Sequence, residues 1–144
     1  MTGVQTCALP IYTSTRALLQ AYRPVTEEML AKPDPSDWLT WRRTEDNWAN
    51  SPLGQITPQN INQVQLAWGW QVGPGTFEST PQVHDGIMFL EGSRDVVYAL
   101  NAANGDLIWK YTRELPKGAG DGNTGAKRSL AIYGDKVKIG RAHV

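Results

Sequence analysis

The stretch from Ala99 to Tyr111 reads ALNAANGDLIWKY and has the pattern of a β-hairpin. An apolar segment leads into the turn-forming residues Asn104, Gly105 and Asp106, and a second apolar segment follows. Short apolar segments separated by Asn, Gly and Asp are typical of two antiparallel strands and their turn. We expect Gly105 to adopt a positive φ in that turn, because glycine does so without steric cost.

Similar short strands are predicted on both sides of this hairpin. The turn His84-Asp85-Gly86 separates two of them, and the close spacing of strands and turns predicts an all-β fold built of hairpins. A unit from about residue 79 to 113, restarting near 129, suggests the blades of a β-propeller. The predicted strands are LAWGWQV (66–72), STPQV (79–83), IMFLEG (87–92), LAIYG (130–134) and DKVK (135–138).

A short helical arm is predicted ahead of the strands. Residues 12–22 are mildly helical, and Thr26 is suited to cap a second short helix that Pro33 ends. Residues 36–53 have no clear period, and we expect their three tryptophans to pack against a neighbouring surface. These tryptophans are Trp38, Trp41 and Trp48.

Length and composition exclude several classes of function. The chain has 144 residues, with 14 basic and 14 acidic side chains, and this balance argues against nucleic acid as a partner. No apolar run approaches the roughly 18 residues of a membrane span. Cys7 is the single cysteine, which excludes an internal disulfide and a cysteine-based metal cluster.

Both ends of the chain read as translated sequencing adapter. QTCALPI near the start and IGRAHV at the end can be encoded by complementary strands of one oligonucleotide, so we set both ends aside as artefacts. We expect a natural sequence that is cut at both ends and lacks Cys7 and His143. The predicted organisation has adapter at 1–11, an arm at 12–55, the first blade or blades at 56–138, and adapter at 139–144.

The hairpin stretch resembles the tryptophan-docking motif of quinoprotein dehydrogenases, which use pyrroloquinoline quinone (PQQ) on an eight-bladed β-propeller. The motif's Ala, Asp, Gly and Trp correspond to Ala99, Asn101, Gly105 and Trp109, with Asn in place of Asp. Nearly all of the sequence between the adapters resembles the N-terminal portion of a PQQ-dependent alcohol dehydrogenase.

This resemblance implies an incomplete fragment of the propeller, with one full blade at 79–111 and partial strands beyond it. Trp109 would lie flat between neighbouring blades. LAWGWQV would be an outer strand that pairs with a later part of the chain, so residues 66–72 would expose an unpaired, aggregation-prone edge here.

The resemblance also implies two PQQ-binding residues, Glu78 and Arg128. A carboxylate can accept hydrogen bonds from the cofactor, and a guanidinium can pair with a PQQ carboxylate or polarise a quinone oxygen. Without the resemblance, both would be interpreted as solvated surface residues. Residues 120–129, GDGNTGAKRS, lack the adjacent cysteines that many members carry, which leaves the subfamily and substrate open; Asn123 and Thr124 are further candidates there.

The implied function is oxidation of a small alcohol by PQQ in the periplasm, with electrons passing to a cytochrome c-type acceptor. The family's calcium or lanthanide ligands and its catalytic aspartate would lie beyond this sequence, so we expect the fragment alone to be inactive. A non-catalytic scaffold built of PQQ-like repeats and a sugar-oxidising quinoprotein are the alternatives. His84 stands alone in a predicted exposed turn, which argues against a metal ligand.

Overall fold

A computed structural model of the chain describes residues 10–74, 78–92, 96–113 and 130–139. Within these ranges the secondary structure is mostly strand, preceded by short helices. The helices are α1 (Pro10–Ala21), α2 (Glu27–Ala31) and a 3₁₀ turn (Ile61–Gln63); the strands are β1 (Gln82–His84), β2 (Ile87–Gly92), β3 (Val96–Asn101), β4 (Leu107–Thr112), β5 (Leu130–Tyr133) and β6 (Lys136–Ile139).

The strands form two antiparallel sheets. The first has the order β1-β2-β3-β4, and the second pairs β5 with β6. Sequential neighbours therefore pair throughout, as the hairpin pattern predicted. In the central pair, Ile87 lies opposite Asn101 and Phe89 opposite Ala99. The all-β prediction with a helical arm is confirmed for the described residues.

Tight turns fix the register of the strands. Asp85 and Gly86 have φ values of 49° and 74° between β1 and β2, and two positive φ angles are what a two-residue hairpin turn requires. Between β3 and β4, Gly105 has a φ of 77°. Its N–H donates to the Asn101 carbonyl at 2.8 Å, and the Asn101 side-chain oxygen accepts from the Ala103 N–H at 2.9 Å. The positive φ predicted for Gly105 is confirmed.

The hydrophobic core combines side chains from both sheets and from the arm. Alternate residues of β2 and β3 point into it, as expected where one face of a sheet is buried. Leu18 of α1 and Met29 of α2 pack on its margin. The buried members are Val25, Leu39, Ile87, Phe89, Val97, Ala99, Leu130 and Ile132.

Residues 22–39, which we call the tether segment, connect the two sheets. Val25 forms a two-bond backbone bridge with Gly134 of the second sheet, at 2.9 and 2.8 Å. Trp38 forms a similar bridge with Val83 of β1, at 2.8 and 2.9 Å. Between these bridges Thr26 caps α2, accepting from the Met29 N–H at 3.3 Å, so the predicted cap is confirmed.

Two sequence-based expectations about tryptophan-rich segments are wrong. Residues 66–72 form no strand, because their backbone finds no hydrogen-bonded neighbour among the described residues. Trp41 and Trp48 are not core anchors, since they are 52% and 78% exposed. The guanidinium of Arg42 lies 4.4 Å from the Trp41 ring, a surface cation–π contact rather than burial.

Candidate functional site

Glu78 lies in the segment that leads into β1, four residues before that strand begins at Gln82. Its side chain is exposed, so a bound molecule could reach the carboxylate. Arg128, Asn123 and Thr124 lie outside the described residues. The assignment of Glu78 and Arg128 to PQQ therefore stays a prediction.

A direct hydrogen bond joins the strand that follows Glu78 to the strand that follows Arg128. Gln82 donates from its Nε2 to the Leu130 carbonyl oxygen at 2.6 Å, and the contact is buried. Gln82 starts β1 and Leu130 starts β5. The beginnings of the two strands therefore lie side by side, one shortly after Glu78 and the other shortly after Arg128.

Trp109 lies between the two sheets. Its ring is half-buried and packs on Phe89 with 6.1 Å between ring centroids. It also lines an open groove of about 580 Å³. The location agrees with a packing role for Trp109. The groove residues are Val97, Trp109, Tyr111, Arg113, Asp135, Val137 and Ile139.

Trp68 of LAWGWQV docks on the β3–β4 turn. Its indole Nε1 donates to the Ala102 carbonyl at 3.1 Å, and a Cβ added to Gly105 would lie 2.7 Å from its Cε3 atom. Two residues on, Trp70 packs edge-on against Tyr98 at 6.1 Å between centroids. Sequence reasoning missed this contact, although the alternation of Trp68 and Trp70 was a signal for one packed face.

His84 is not the exposed turn residue that the sequence suggested, because it ends β1 with no exposed surface. Its Nδ1 lies 2.7 Å from Asp37 Oδ2, and its Nε2 lies 2.9 Å from the Arg23 carbonyl oxygen. No local sequence signal could have found this pair, since Asp37 is distant along the chain. The contacts join β1 to the tether segment.

Asp85 completes this group of charges. Arg23 donates to it from its backbone N–H at 2.7 Å and from its guanidinium at 2.6 Å. Burial by itself raises the pKa of Asp85. The hydrogen bonds from Arg23 and the nearby positive charges together lower that pKa by more, so it lies below its ordinary value. Burial is also the main cause that raises the pKa of Tyr22, followed by the charge of Asp85.

Metal and membrane features are not found within the described ranges. In those residues no three His, Cys, Asp or Glu side chains are grouped to hold a metal ion. No helix there has the length and apolar character needed to cross a bilayer.

Comparison with known families identifies the fold. The family model described as "PQQ: Glucose/ethanol/alcohol dehydrogenase, beta-propeller domain" matches residues 38–143. The chain belongs to this PQQ β-propeller family. The sheet β1–β4 has four antiparallel strands, the number found in one blade of a propeller.

Individual relatives of the PQQ family agree with this assignment. The chain is 40% identical over 113 residues to the quinohemoprotein alcohol dehydrogenase ADH-IIG of Pseudomonas putida, covering 76% of this chain and 16% of that protein. The solved structure of ADHIIG gives a TM-score of 0.69 with 36% identity, over 83% of this chain and 18% of that one. The chain therefore spans about one sixth of this relative's length.

Two further similarities agree with this family assignment. A 1-butanol dehydrogenase (cytochrome c) of Thauera butanivorans is 32% identical, over 72% of this chain and 16% of its own. A europium-containing methanol dehydrogenase has a TM-score of 0.65 at 23% identity, over 78% of this chain and 21% of that one, a likeness of fold alone.

Proposed function

We propose that this chain is part of a PQQ-dependent dehydrogenase that oxidises a small alcohol and passes the electrons to a cytochrome c-type acceptor. The observation that carries the proposal is the family match over residues 38–143, which includes every described strand. The names of ADH-IIG and of the butanol dehydrogenase support an alcohol substrate, and the latter name supports a cytochrome acceptor. A periplasmic location is part of the same proposal.

The proposed role of this region is to supply one wall of the PQQ chamber through Glu78 and Arg128. Bound PQQ would supply the quinone that accepts hydride from the alcohol. Chain geometry supports a shared site. Glu78 precedes Gln82 by four residues in the sequence, and Arg128 precedes Leu130 by two. Gln82 is bonded to Leu130, so the two strand beginnings next to these candidates adjoin.

The two side chains suit different parts of the cofactor. Arg128 would pair with a carboxylate or a quinone oxygen, and a guanidinium keeps its charge at any working pH. Glu78, which is exposed, would accept hydrogen bonds. A calcium or lanthanide ion and the catalytic aspartate would come from other parts of the enzyme.

A chimeric enzyme tests this proposal. The aligned segment of Pseudomonas putida ADH-IIG is replaced by the matching segment of this chain, and PQQ uptake and ethanol-dependent reduction of a cytochrome are measured. We expect a PQQ-loaded, active chimera, while Glu78→Gln and Arg128→Lys each lower kcat/KM at least about tenfold by removing a contact to the cofactor. Glu45→Gln is the matched control, because Glu45 is an exposed residue of the arm. The 144-residue chain alone should reduce no PQQ with ethanol.

The outcomes separate the alternatives. A chimera that folds, judged by its haem spectrum, yet takes up no PQQ contradicts the proposal and favours the scaffold. Glucose is tested beside ethanol because the family description names both kinds of dehydrogenase. Faster turnover with glucose would favour a sugar-oxidising enzyme.

A further inference from the structure

The strongest feature outside the candidate PQQ site is a cluster of ionisable groups around the buried His84. His84 has no exposed surface, and its nearest partner Asp37 is also buried. Asp85 Oδ2 lies 3.4 Å from His84 Nε2, and Arg23 pairs with Asp85 at 2.6 Å. The rings of Tyr22 and His84 pack edge to face, with 5.3 Å between their centroids. Among the described residues, these are the titratable groups in contact with His84.

The hydrogen-bond partners of the two ring nitrogens indicate the charge of His84. Both ring nitrogens face oxygens, a carboxylate at Nδ1 and the Arg23 carbonyl at Nε2. A carbonyl and a carboxylate only accept, whereas a neutral imidazole has one donor and one acceptor nitrogen. In a neutral ring, the nitrogen without a proton would point its lone pair at an acceptor, and no hydrogen bond would form there. An imidazolium donates to both.

The remaining charges agree with that state. Asp37 Oδ1 accepts from the Asp85 N–H at 3.3 Å, which leaves Oδ2 to accept from an imidazolium at Nδ1. Two positive groups, His84 and Arg23, then balance the carboxylates of Asp37 and Asp85. A neutral His84 would leave one negative charge uncompensated, which is unfavourable in a buried place.

The cluster joins the parts that the tether segment connects. Arg23 and Asp37 belong to that segment, His84 ends β1, and Asp85 lies in the following turn. Val25 lies two residues beyond Arg23 and bridges the second sheet, and Trp38 follows Asp37 and bridges β1. Arg23 and Asp37, which contact His84, therefore lie close to the two ends of the tether segment.

We propose that His84 is a buried imidazolium that clamps both ends of the tether segment to β1. It would donate to Asp37 near one end of that segment and to the Arg23 carbonyl near the other.

Nitrogen NMR of the full chain labelled with ¹⁵N-histidine tests the charge directly. The sequence has two histidines, His84 and His143, and a His143→Gln variant assigns their signals. In the folded chain near neutral pH, we expect both ring nitrogens of His84 to carry a proton, as the clamp requires. A His84 ring with only one protonated nitrogen, in a chain whose β2–β3 amides are protected, overturns the proposal.

Hydrogen exchange tests the clamp. We expect His84→Gln to lower the protection of the Val25 and Trp38 amides, while amides of the β2–β3 ladder keep theirs. Unchanged protection of Val25 and Trp38 in His84→Gln overturns the clamp.

A variant pair checks the partner. Asp37→Asn should leave His84 with one protonated ring nitrogen under the conditions in which the unsubstituted chain has two, because it removes the charge that balances the imidazolium. Asp46→Asn is the matched control, since Asp46 is an exposed arm residue bonded to Thr44. Equal effects of the two substitutions on the His84 signal contradict the proposal. The result on the unsubstituted chain stands even if Asp37→Asn fails to fold.

Discussion

At the residue scale, Gly105 meets two requirements at once. Its φ of 77° is a conformation that residues with a Cβ seldom adopt. Because Gly105 has no Cβ, the Trp68 ring can also lie directly against its backbone. The first requirement was predictable from the local sequence, because a Gly between Asn and Asp indicates such a turn. The second depends on a residue distant in sequence and needed the tertiary structure.

We predict that Gly105→Ala lowers the free energy of unfolding by about 2–4 kcal/mol. About 1–2 kcal/mol follows from the left-handed backbone, and the rest from displacing Trp68. Urea unfolding of the purified chain measures the change.

Two other glycines separate these causes. Gly134 has a φ of 59° with open space around it, so Gly134→Ala should show the backbone effect alone, about 1–2 kcal/mol. Gly54 has open space and no positive φ, so Gly54→Ala should change stability by less than about 1 kcal/mol. Equal losses for Gly105→Ala and Gly134→Ala would contradict the Trp68 contact.

At the element scale, the β1–β2 turn is held to the tether segment by charge. The backbone and guanidinium of Arg23 both bond to Asp85, and the pKa of Asp85 is lowered although burial by itself raises it. A carboxyl whose folded pKa is depressed adds stability above its unfolded pKa. That stability is lost as pH falls through the folded value.

We therefore predict that Asp85→Asn destabilises the chain near neutral pH, and that its difference from the unsubstituted chain shrinks as pH falls below about 4. Asn tolerates the positive φ at this position, so the substitution tests the charge. Urea midpoints across the acid range measure it. Asp106→Asn is the control, because Asp106 bonds to the neutral side chain of Asn104; an equal pH dependence in the two variants would argue against the ion pair.

Among the elements, the strands of the blade were the most predictable. Alternating burial is seen in β2 and β3, and the turn at Gly105 joins β3 to the more exposed β4. The sequence of residues 66–72 also alternates, but no strand forms there because a strand also needs a neighbour to bond. His84 was misjudged for a related reason, since its burial comes from the tether segment and not from its own turn.

At the scale of the whole molecule, the described part of the chain exposes apolar surface near residues 53–70. Leu66 is 88% exposed, and LAWGWQV lies on the blade through its tryptophans with no strand beside it. Other exposed members are Leu53, Ile56, Ile61, Val64 and Trp70. Exposed apolar segments of this kind favour association between molecules.

We predict that Leu66→Lys reduces self-association of the chain without lowering its free energy of unfolding by more than about 0.5 kcal/mol, since an exposed side chain contributes little to folding. Light scattering against protein concentration measures the effect. Gln65→Lys adds the same charge at an exposed neighbour while keeping Leu66. If both variants scatter equally, charge and not the apolar side chain controls association.

The hairpins and the turn at Gly105 could be predicted from the amino-acid sequence, because each depends on residues close together in the chain, and the order of motifs along the chain carried the resemblance to PQQ-dependent dehydrogenases. The packing of Trp68 on Gly105, the burial of His84 against Asp37 and the bridging of both sheets by the tether segment became visible only in the folded chain. These contacts join residues far apart in sequence. Their partners are selected by packing and by the need to satisfy buried polar groups, and neither leaves a local pattern.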